Sequence, residues 1–279
     1  MASLSRARPW LGTLVEIDVR HAGAEPPALR AVERAFAAIA RVHRLMSPVE
    51  PDGDLARLHA AAPGRWVRVQ AETAAVLRAA RHFHHASGGA FDPVAGGGGT
   101  MDDIEIRGRR VRRRRAVRVD LGGIAKGYAV DRACAVLRRC PSISSGIVNA
   151  GGDLRCFGAQ ARLVPVRAPG RRAPAYVLRV RNAALATSAR ALAPGPLRGL
   201  VDPRSARPYR GRASATVGAR TALAADALTK VALFAAPLLR DRLCRRYGAR
   251  VFLQNEAKKK PAPREGVGSR GAKRAYSAE

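Results

Sequence analysis

Two hydrophobic periods succeed one another along this chain without a regular order, and that order restricts the fold more than any other feature. TLVEIDV (13–19) alternates with period two, which puts Leu14, Glu16 and Asp18 on one strand face and Val15, Ile17 and Val19 on the other. Pro26-Pro27 then opens a helical pattern running to about Met46, with Leu29, Val32, Phe36, Ile39 and Val42 at helical spacing. A short helix carrying Leu55 and Leu58, a strand at WVRV (66–69) and a helix over 71–86 stopped by Gly88-Gly89 follow. Beyond a strand end at 119–121, helices are expected over 124–139, 222–235 and 237–247. Strands are expected at 146–149, 153–157, 162–167, 175–181 and 249–254. No repeat and no regular βαβ alternation is present, so the pattern favours an α+β fold over a doubly wound one.

The amount of charge is ordinary, but its sign is not. Lys+Arg number 51 against 21 Asp+Glu, a formal charge of +30. Such a balance first suggests nucleic acid or an anionic surface. Lysine occurs only at 126, 230, 258, 259, 260 and 273, and every other base is arginine in a chain crowded with Ala, Gly and Pro. A GC-rich coding bias produces that mixture and implies nothing about partners. Aromatics make up only 5% and no RRM, KH or zinc-finger spacing is present, so nucleic acid is not expected as a partner. A hydrophobic content of 47% excludes global disorder. No apolar run approaches the roughly 18 residues of a membrane span.

Two segments concentrate the charge. RGRRVRRRRAVR (107–118) holds eight arginines and no acid, and with Val111, Val117 and Val119 it reads as a poor hairpin with a solvated arginine face that resists edge pairing. Residues 255–279 are polar and Gly/Pro-rich and read as a disordered basic tail on a body of 1–254. Cys134, Cys140, Cys156 and Cys244 form no CxxC pair. The start has basic residues with no apolar segment after them and no lipoprotein signal. Both features suggest a cytoplasmic protein with reduced thiols.

In a chain this basic, the acids are worth locating. Asp92 (GAFDP), Asp120 and Asp131 (DLGGIAKGYAVD), Asp153 (NAGGD), Asp202 (VDPRS) and Asp226 (AADALTK) stand beside small residues or turns. Glycine there lets backbone approach a ligand while the carboxylate orders amides or binds a cation. Asp131, in mid-helix beside Arg132, reads as structural. VDLGGIAKGYAVD reads as strand, glycine turn and helix start, a natural place for an anion, with Lys126 adding positive charge one turn in. It is neither a Walker A loop nor a GxGxxG turn. HFHH (82–85) spaces His82 and His85 at i, i+3, but with no carboxylate or third ligand near in sequence it reads as a solvent-facing helix end. ATSA (186–189) lacks the glycines of a nucleophile elbow, and Thr187 and Ser188 read as lining residues.

In chain order, GAFDP, DLGGIAKGYAVD, VNAGGDL, ATSA, VDPRSARP and ALAADALTKVALF resemble the motif series of the ApbE family, the FAD:protein FMN transferases. LMSPVEPDGDLARLH is similar to the family's N-terminal motif, and the likeness runs from about Arg8 to Gln254. The resemblance implies a single-chain, two-lobed, T-fold-like α+β architecture with mixed or antiparallel sheets and a cleft between the lobes. It implies FAD as substrate, Mg²⁺ as metal, and transfer of FMN to a Thr or Ser hydroxyl of a target flavoprotein with release of AMP. Some members hydrolyse FAD instead.

By the same resemblance, Met46, Ala90, Phe91, Asp92, Asp120 and Lys126 match flavin- or FAD-contacting positions. Gly123, through its carbonyl, and Asp226 match metal ligands, and Asp226 and Lys126 carry the chemistry. A hard cation taking oxygen ligands would bridge the pyrophosphate and neutralise charge on the leaving group. This chain departs from the pattern in three residues. Lys230 stands four after Asp226 where the family has Thr, with Thr229 one short; Gly199 replaces a histidine; and His59 replaces an asparagine. The link between GAFDP and DLGG is also shortened to a glycine run. The alternatives are an FAD-binding or FAD-hydrolysing homologue with little transfer activity, motivated by Lys230 and Gly199, and a basic nucleic-acid-binding protein.

Overall fold

A computed structural model describes residues 1–167, 174–189 and 200–255. Strands β1 (Ala2–Trp10) and β2 (Thr13–His21) form a hairpin, followed by helices α1 (Glu25–Met46) and α2 (Asp54–Ala60). Strand β3 (Val67–Arg68), helix α3 (Ala71–Ala86), and strands β4 (Ile104–Arg107) and β5 (Arg110–Arg113) come next, then helix α4 (Ala125–Leu137). Strands β6 (Ile143–Ala150), β7 (Asp153–Gly158), β8 (Arg162–Arg167), β9 (Pro174–Val180) and β10 (Ala184–Ser188) follow. The rest comprises β11 (Val201–Asp202), β12 (Arg207–Pro208), β13 (Ala213–Ala219), helices α5 (Ala222–Phe234) and α6 (Pro237–Arg246), and β14 (Arg250–Asn255).

Seven strands make one antiparallel sheet in the order β1-β2-β6-β7-β10-β13-β14. Helices α1, α4 and α5 cover one face of it and pack on one another, α4 in the middle. Val15, Ile17 and Val19 are fully buried and Leu14 is 54% exposed, so the alternation in β2 sets which face meets the helices. Against the other face, Val164 and Val180 of the β8–β9 hairpin form a small second core with Leu154, Cys156 and Leu185. The fold is α+β, and every strand pair among the described residues is antiparallel. Gly199 and residues 256–279 lie outside the described residues.

The arginine-rich segment corrects two expectations. Its hairpin is Ile104–Arg107 against Arg110–Arg113, turning at Gly108 (φ +60°), and Val117 and Val119 are buried in the loop that follows. Strand β5 is the middle of the order β3-β5-β4 and not an edge. The alternation there runs arginine out, Val111 in, which a count of arginines alone hides. Arg113 is buried and donates to the carbonyls of Val117, His59 and Ala61, at 2.7, 3.0 and 2.5 Å. Arg107, Arg110 and Arg112 all stack on Trp66, at 4.7–5.4 Å from its ring centre. The strand end expected at 119–121 is loop, tied down by Arg118 N–H to the Gly97 carbonyl and Asp120 N–H to the Pro93 carbonyl.

Strand β1 was not legible in the sequence. It is an outer strand, mostly exposed, with arginines and Pro9, so it shows no apolar alternation. No helix among the described residues is long and apolar enough to cross a membrane.

Candidate functional site

The DLGG turn builds one wall of the site. Asp120 Oδ1 accepts the Gly122 N–H at 2.8 Å, and the Gly122 carbonyl accepts Lys126 Nζ at 3.1 Å. The amides that follow are only partly free for an anion. Those of Ile124 and Ala125 both donate to the Leu121 carbonyl, and that of Gly127 donates to Asp226 Oδ2 at 3.2 Å. The approach that makes this last bond possible requires glycine: a Cβ on Gly127 would lie 2.2 Å from the Ala222 carbonyl oxygen.

Helix α5 builds the opposite wall. Its start is fixed twice: Thr221 Oγ1 accepts the Ala224 N–H, and Asp131 on α4 accepts the N–H groups of Ala222 and Leu223 at 3.0 and 2.9 Å. Asp131 also pairs with Arg155 at 2.6 Å. Because α5 is buried almost all round, Asp226 and Thr229 are placed inside the protein. Asp226 Oδ1 accepts Lys230 Nζ at 2.5 Å, and its main-chain carbonyl accepts the same ammonium at 3.1 Å. The Thr229 hydroxyl donates to the Asp226 carbonyl at 2.7 Å and lies 2.7 Å from Ser188 Oγ, so it faces β10 and not the Asp226 carboxylate. Thr187 meets Thr216 at 2.9 Å in the same sheet.

Lys126 closes the cluster. Its Nζ is 2.7 Å from Asp153 Oδ2 and 3.9 Å from Asp226 Oδ2. Two ammoniums thus face two carboxylates that are 5% and 1% exposed. Burial and the neighbouring Asp226 push the Asp153 carboxyl up from its ordinary pKa, against the pull of Lys126 and Lys230. Burial acts the same way on Asp226, but the two lysines and the Gly127 N–H outweigh it and hold Asp226 below the usual carboxylate range. Burial lowers Lys126, yet Asp226 and Asp153 win and raise it above the usual lysine range.

The structure brings Lys126, Asp226, Gly123 and Phe91 together. A Cβ at Gly123 would lie 3.0 Å from Lys230 Cε and 3.6 Å from the Phe91 ring. Asp120 sits exposed at the turn just above. Met46 ends α1 inside the main core, 4% exposed, and Ala90 is buried in the turn after α3. Asp92 is turned away. Its Oδ1 accepts the Val94 N–H at 2.8 Å, and its Oδ2 accepts the Met101 N–H at 3.3 Å and lies 3.2 Å from His84 Nδ1. Asp153 completes the Lys126 cluster, a role that the sequence did not reveal; the available signal was an acid directly after two glycines in a chain with few acids. Asp202 belongs elsewhere, paired with Arg204 at 3.2 Å.

The histidines of α3 also differ from expectation. His82 packs edge-to-face against Phe83 and Tyr247, while His84 is buried at 7% exposure. A carboxylate does come close: Asp102, from the loop after the glycine run, lies 3.6 Å from both His84 Nε2 and His85 Nε2. A surface concavity of about 820 Å³ beside His82, Arg220, Arg245 and Tyr247 contains none of the Lys126 cluster.

Comparison with known proteins supplies the rest. The chain is 29% identical over 282 residues to the FAD:protein FMN transferase of Rhodobacter capsulatus, covering 87% of this chain and 53% of that protein. It is 28% identical over 232 residues to the enzyme of the same name from Treponema pallidum, covering 66% of this chain and 64% of that protein. The chain therefore spans between about half and two thirds of these relatives' lengths. The crystal structure of the ApbE protein from Thermotoga maritima has the same fold, with a TM-score of 0.80 at 24% identity over 92% of this chain and 97% of that one. The ApbE family model matches residues 11–100 and 98–252, and the chain belongs to the ApbE family.

Proposed function

We propose that this protein transfers FMN from FAD to a Thr or Ser hydroxyl of a flavoprotein acceptor and releases AMP. Family membership and the names of its relatives support the reaction. The observation that carries it at the level of chemistry is the pair of ammoniums, Lys126 and Lys230, held between the DLGG turn and α5.

In the reaction a bond forms between the acceptor oxygen and the FMN phosphorus, and the bond from that phosphorus to the AMP phosphate oxygen breaks. The acceptor hydroxyl gives up its proton to solvent and AMP leaves as a phosphate. Both steps build negative charge around the pyrophosphate, which preorganised cations stabilise in a partly buried site. Lys126 and Lys230 are the groups we assign to that charge. Asp226 acts as a positioning residue that keeps both ammoniums charged and aimed. Phe91, with Met46 and Ala90, is assigned to the flavin side and Asp120 to the diphosphate side. Asp92, whose oxygens are committed to two amides and His84, braces the Phe91 turn.

The residues present do not fit the divalent cation that family resemblance implies at Gly123 and Asp226. Both Asp226 oxygens already have cationic or N–H partners. An added dication would face two ammoniums at short range, where like charges repel by several kcal/mol. The lysines take that role here. We further read 1–254 as one catalytic domain and, from its four free cysteines, the setting as cytoplasmic.

The test is incubation with FAD and a candidate flavoprotein acceptor, in EDTA and in Mg²⁺. AMP release with flavin retained on the denatured acceptor is expected in both. Absence of AMP in every condition overturns the reading.

A further inference from the structure

We propose that His84, His85 and Asp102 form a binding site for a borderline divalent metal of the Zn²⁺ or Co²⁺ type, separate from the Lys126 cluster. The site does not depend on the flavin reaction. Three donor atoms from two segments converge on one space. His84 Nε2 lies 3.6 Å from Asp102 Oδ2, His85 Nε2 lies 3.6 Å from Asp102 Oδ1, and all the donors are within 4.8 Å of one another.

Those separations are too long for hydrogen bonds, since a side-chain contact at about 3.6 Å is not one. They match an ion. Ligands about 2.1 Å from a tetrahedral centre stand about 3.4 Å apart, so small side-chain rotations would close the set. The exposure of His85 and Asp102, at 58% and 63%, leaves them free to make those rotations and gives an ion a route in.

The remaining ligand is the one that cannot wander. His84 is buried, and its Nδ1 faces Asp92 Oδ2 at 3.2 Å. With Asp92 that close to Nδ1, Nε2 is the ring nitrogen left to ligate, and it is the one that faces Asp102. This is the carboxylate–histidine arrangement that orients imidazole ligands in metal sites. The same Asp92 oxygen holds the Met101 N–H, and a Thr100–Asp103 capping box fixes the turn that presents Asp102. The backbone on both sides of the gap is thus set without an ion. Two imidazoles and one carboxylate suit Zn²⁺, Co²⁺ or Ni²⁺ far better than Mg²⁺, and three protein ligands leave a fourth position for water.

A bound ion would pin the 96–103 loop to the end of α3, next to the Phe91 turn. The test is titration of the tag-free full chain with Co²⁺, read by visible d–d absorption, then displacement by Zn²⁺. Micromolar binding is expected, with an absorption envelope of nitrogen and oxygen ligation and a rise in Tm on adding Zn²⁺. His85→Ala and Asp102→Asn, both at exposed positions, should each weaken binding at least tenfold (a factor of ten being about 1.4 kcal/mol). Asp226→Asn should leave it unchanged. No cobalt band in the wild type overturns the site. So does a thiolate charge-transfer band, wild-type affinity in either variant, or a band that responds to Asp226→Asn instead.

Discussion

Lys230 Nζ lies 2.5 Å from Asp226 Oδ1 and 3.1 Å from the main-chain oxygen of the same residue, one turn back on α5. The side chain therefore folds along its own helix and covers the carboxylate on the side facing Gly123. Replacing it by the family's threonine removes one positive charge and frees Oδ1. Lys230→Thr is expected to gain Mg²⁺ binding by calorimetry and a Mg²⁺-dependent FAD affinity, whereas the wild type shows neither. Equal Mg²⁺ binding by both proteins would remove the case for a tethered cation.

Lys126 is the shared partner of two buried acids, at 2.7 Å from Asp153 and 3.9 Å from Asp226. Lys126→Met leaves Asp153 buried and facing another carboxylate. Breaking a buried pair by removing one partner costs about 3–5 kcal/mol. A loss at the lower end is expected, because the Lys126 side chain is 30% exposed and water screens part of the interaction. Adding Asp153→Asn to this variant should recover more than half of the loss in urea denaturation. A double variant no more stable than Lys126→Met would show that the pairing contributes little.

How much of this was legible follows from where each signal lies. Helices α1, α3 and α5 carry long apolar stripes or caps, and their extents could be read from the chain. Asp131 reads as structural from its place in mid-helix, and it caps α5. Asp153 and Lys126 meet across 27 residues of sequence, through a pairing that only the β6–β7 hairpin and α4 together bring about. The Asp102 approach to His84 has the same cause, since the glycine run bends the loop back onto α3. Arg113 looks like one more solvated arginine because burial on carbonyl oxygens leaves no trace in composition.

Gly127 of α4 packs directly against the first residues of α5. A Cβ there would sit 2.2 Å from the Ala222 carbonyl oxygen and 2.5 Å from its carbon, both backbone atoms that cannot swing aside. Gly127→Ala must push the helices apart, and overpacking of this kind costs about 1–3 kcal/mol. It also stretches the Gly127 N–H bond to Asp226. Gly122→Ala is the control, since only the Asp120 carboxylate comes near, at 3.0 Å. Thermal unfolding should show a drop of several degrees for Gly127→Ala and little change for Gly122→Ala. Equal shifts would mean that the α4–α5 contact is softer than its geometry indicates.

His59 couples the end of α2 to the segment before the glycine turn. Its Nε2 accepts the Val119 N–H at 2.9 Å, which requires the neutral ring. Burial first, then Arg118 and Arg113, lower its pKa from 6.5 to about 4. The unfolded chain therefore takes up the proton before the native state does. The contribution of His59 is fully present above about pH 6.5 and is lost as the pH falls through the window down to about 4. Its pKa is lowered in the fold, whereas that of His84 is raised by Asp92, so His84 acts in the opposite direction, and the raw pH profile mixes the two. The informative quantity is the difference between wild type and His59→Gln, which keeps an acceptor for Val119 but does not titrate. Urea midpoints between about pH 7.5 and pH 4.5 should fall more steeply for the wild type than for His59→Gln. Parallel curves would mean that His59 remains uncharged in both states or charges without cost, and would rule out its role as the acid-sensitive tie between α2 and the glycine turn.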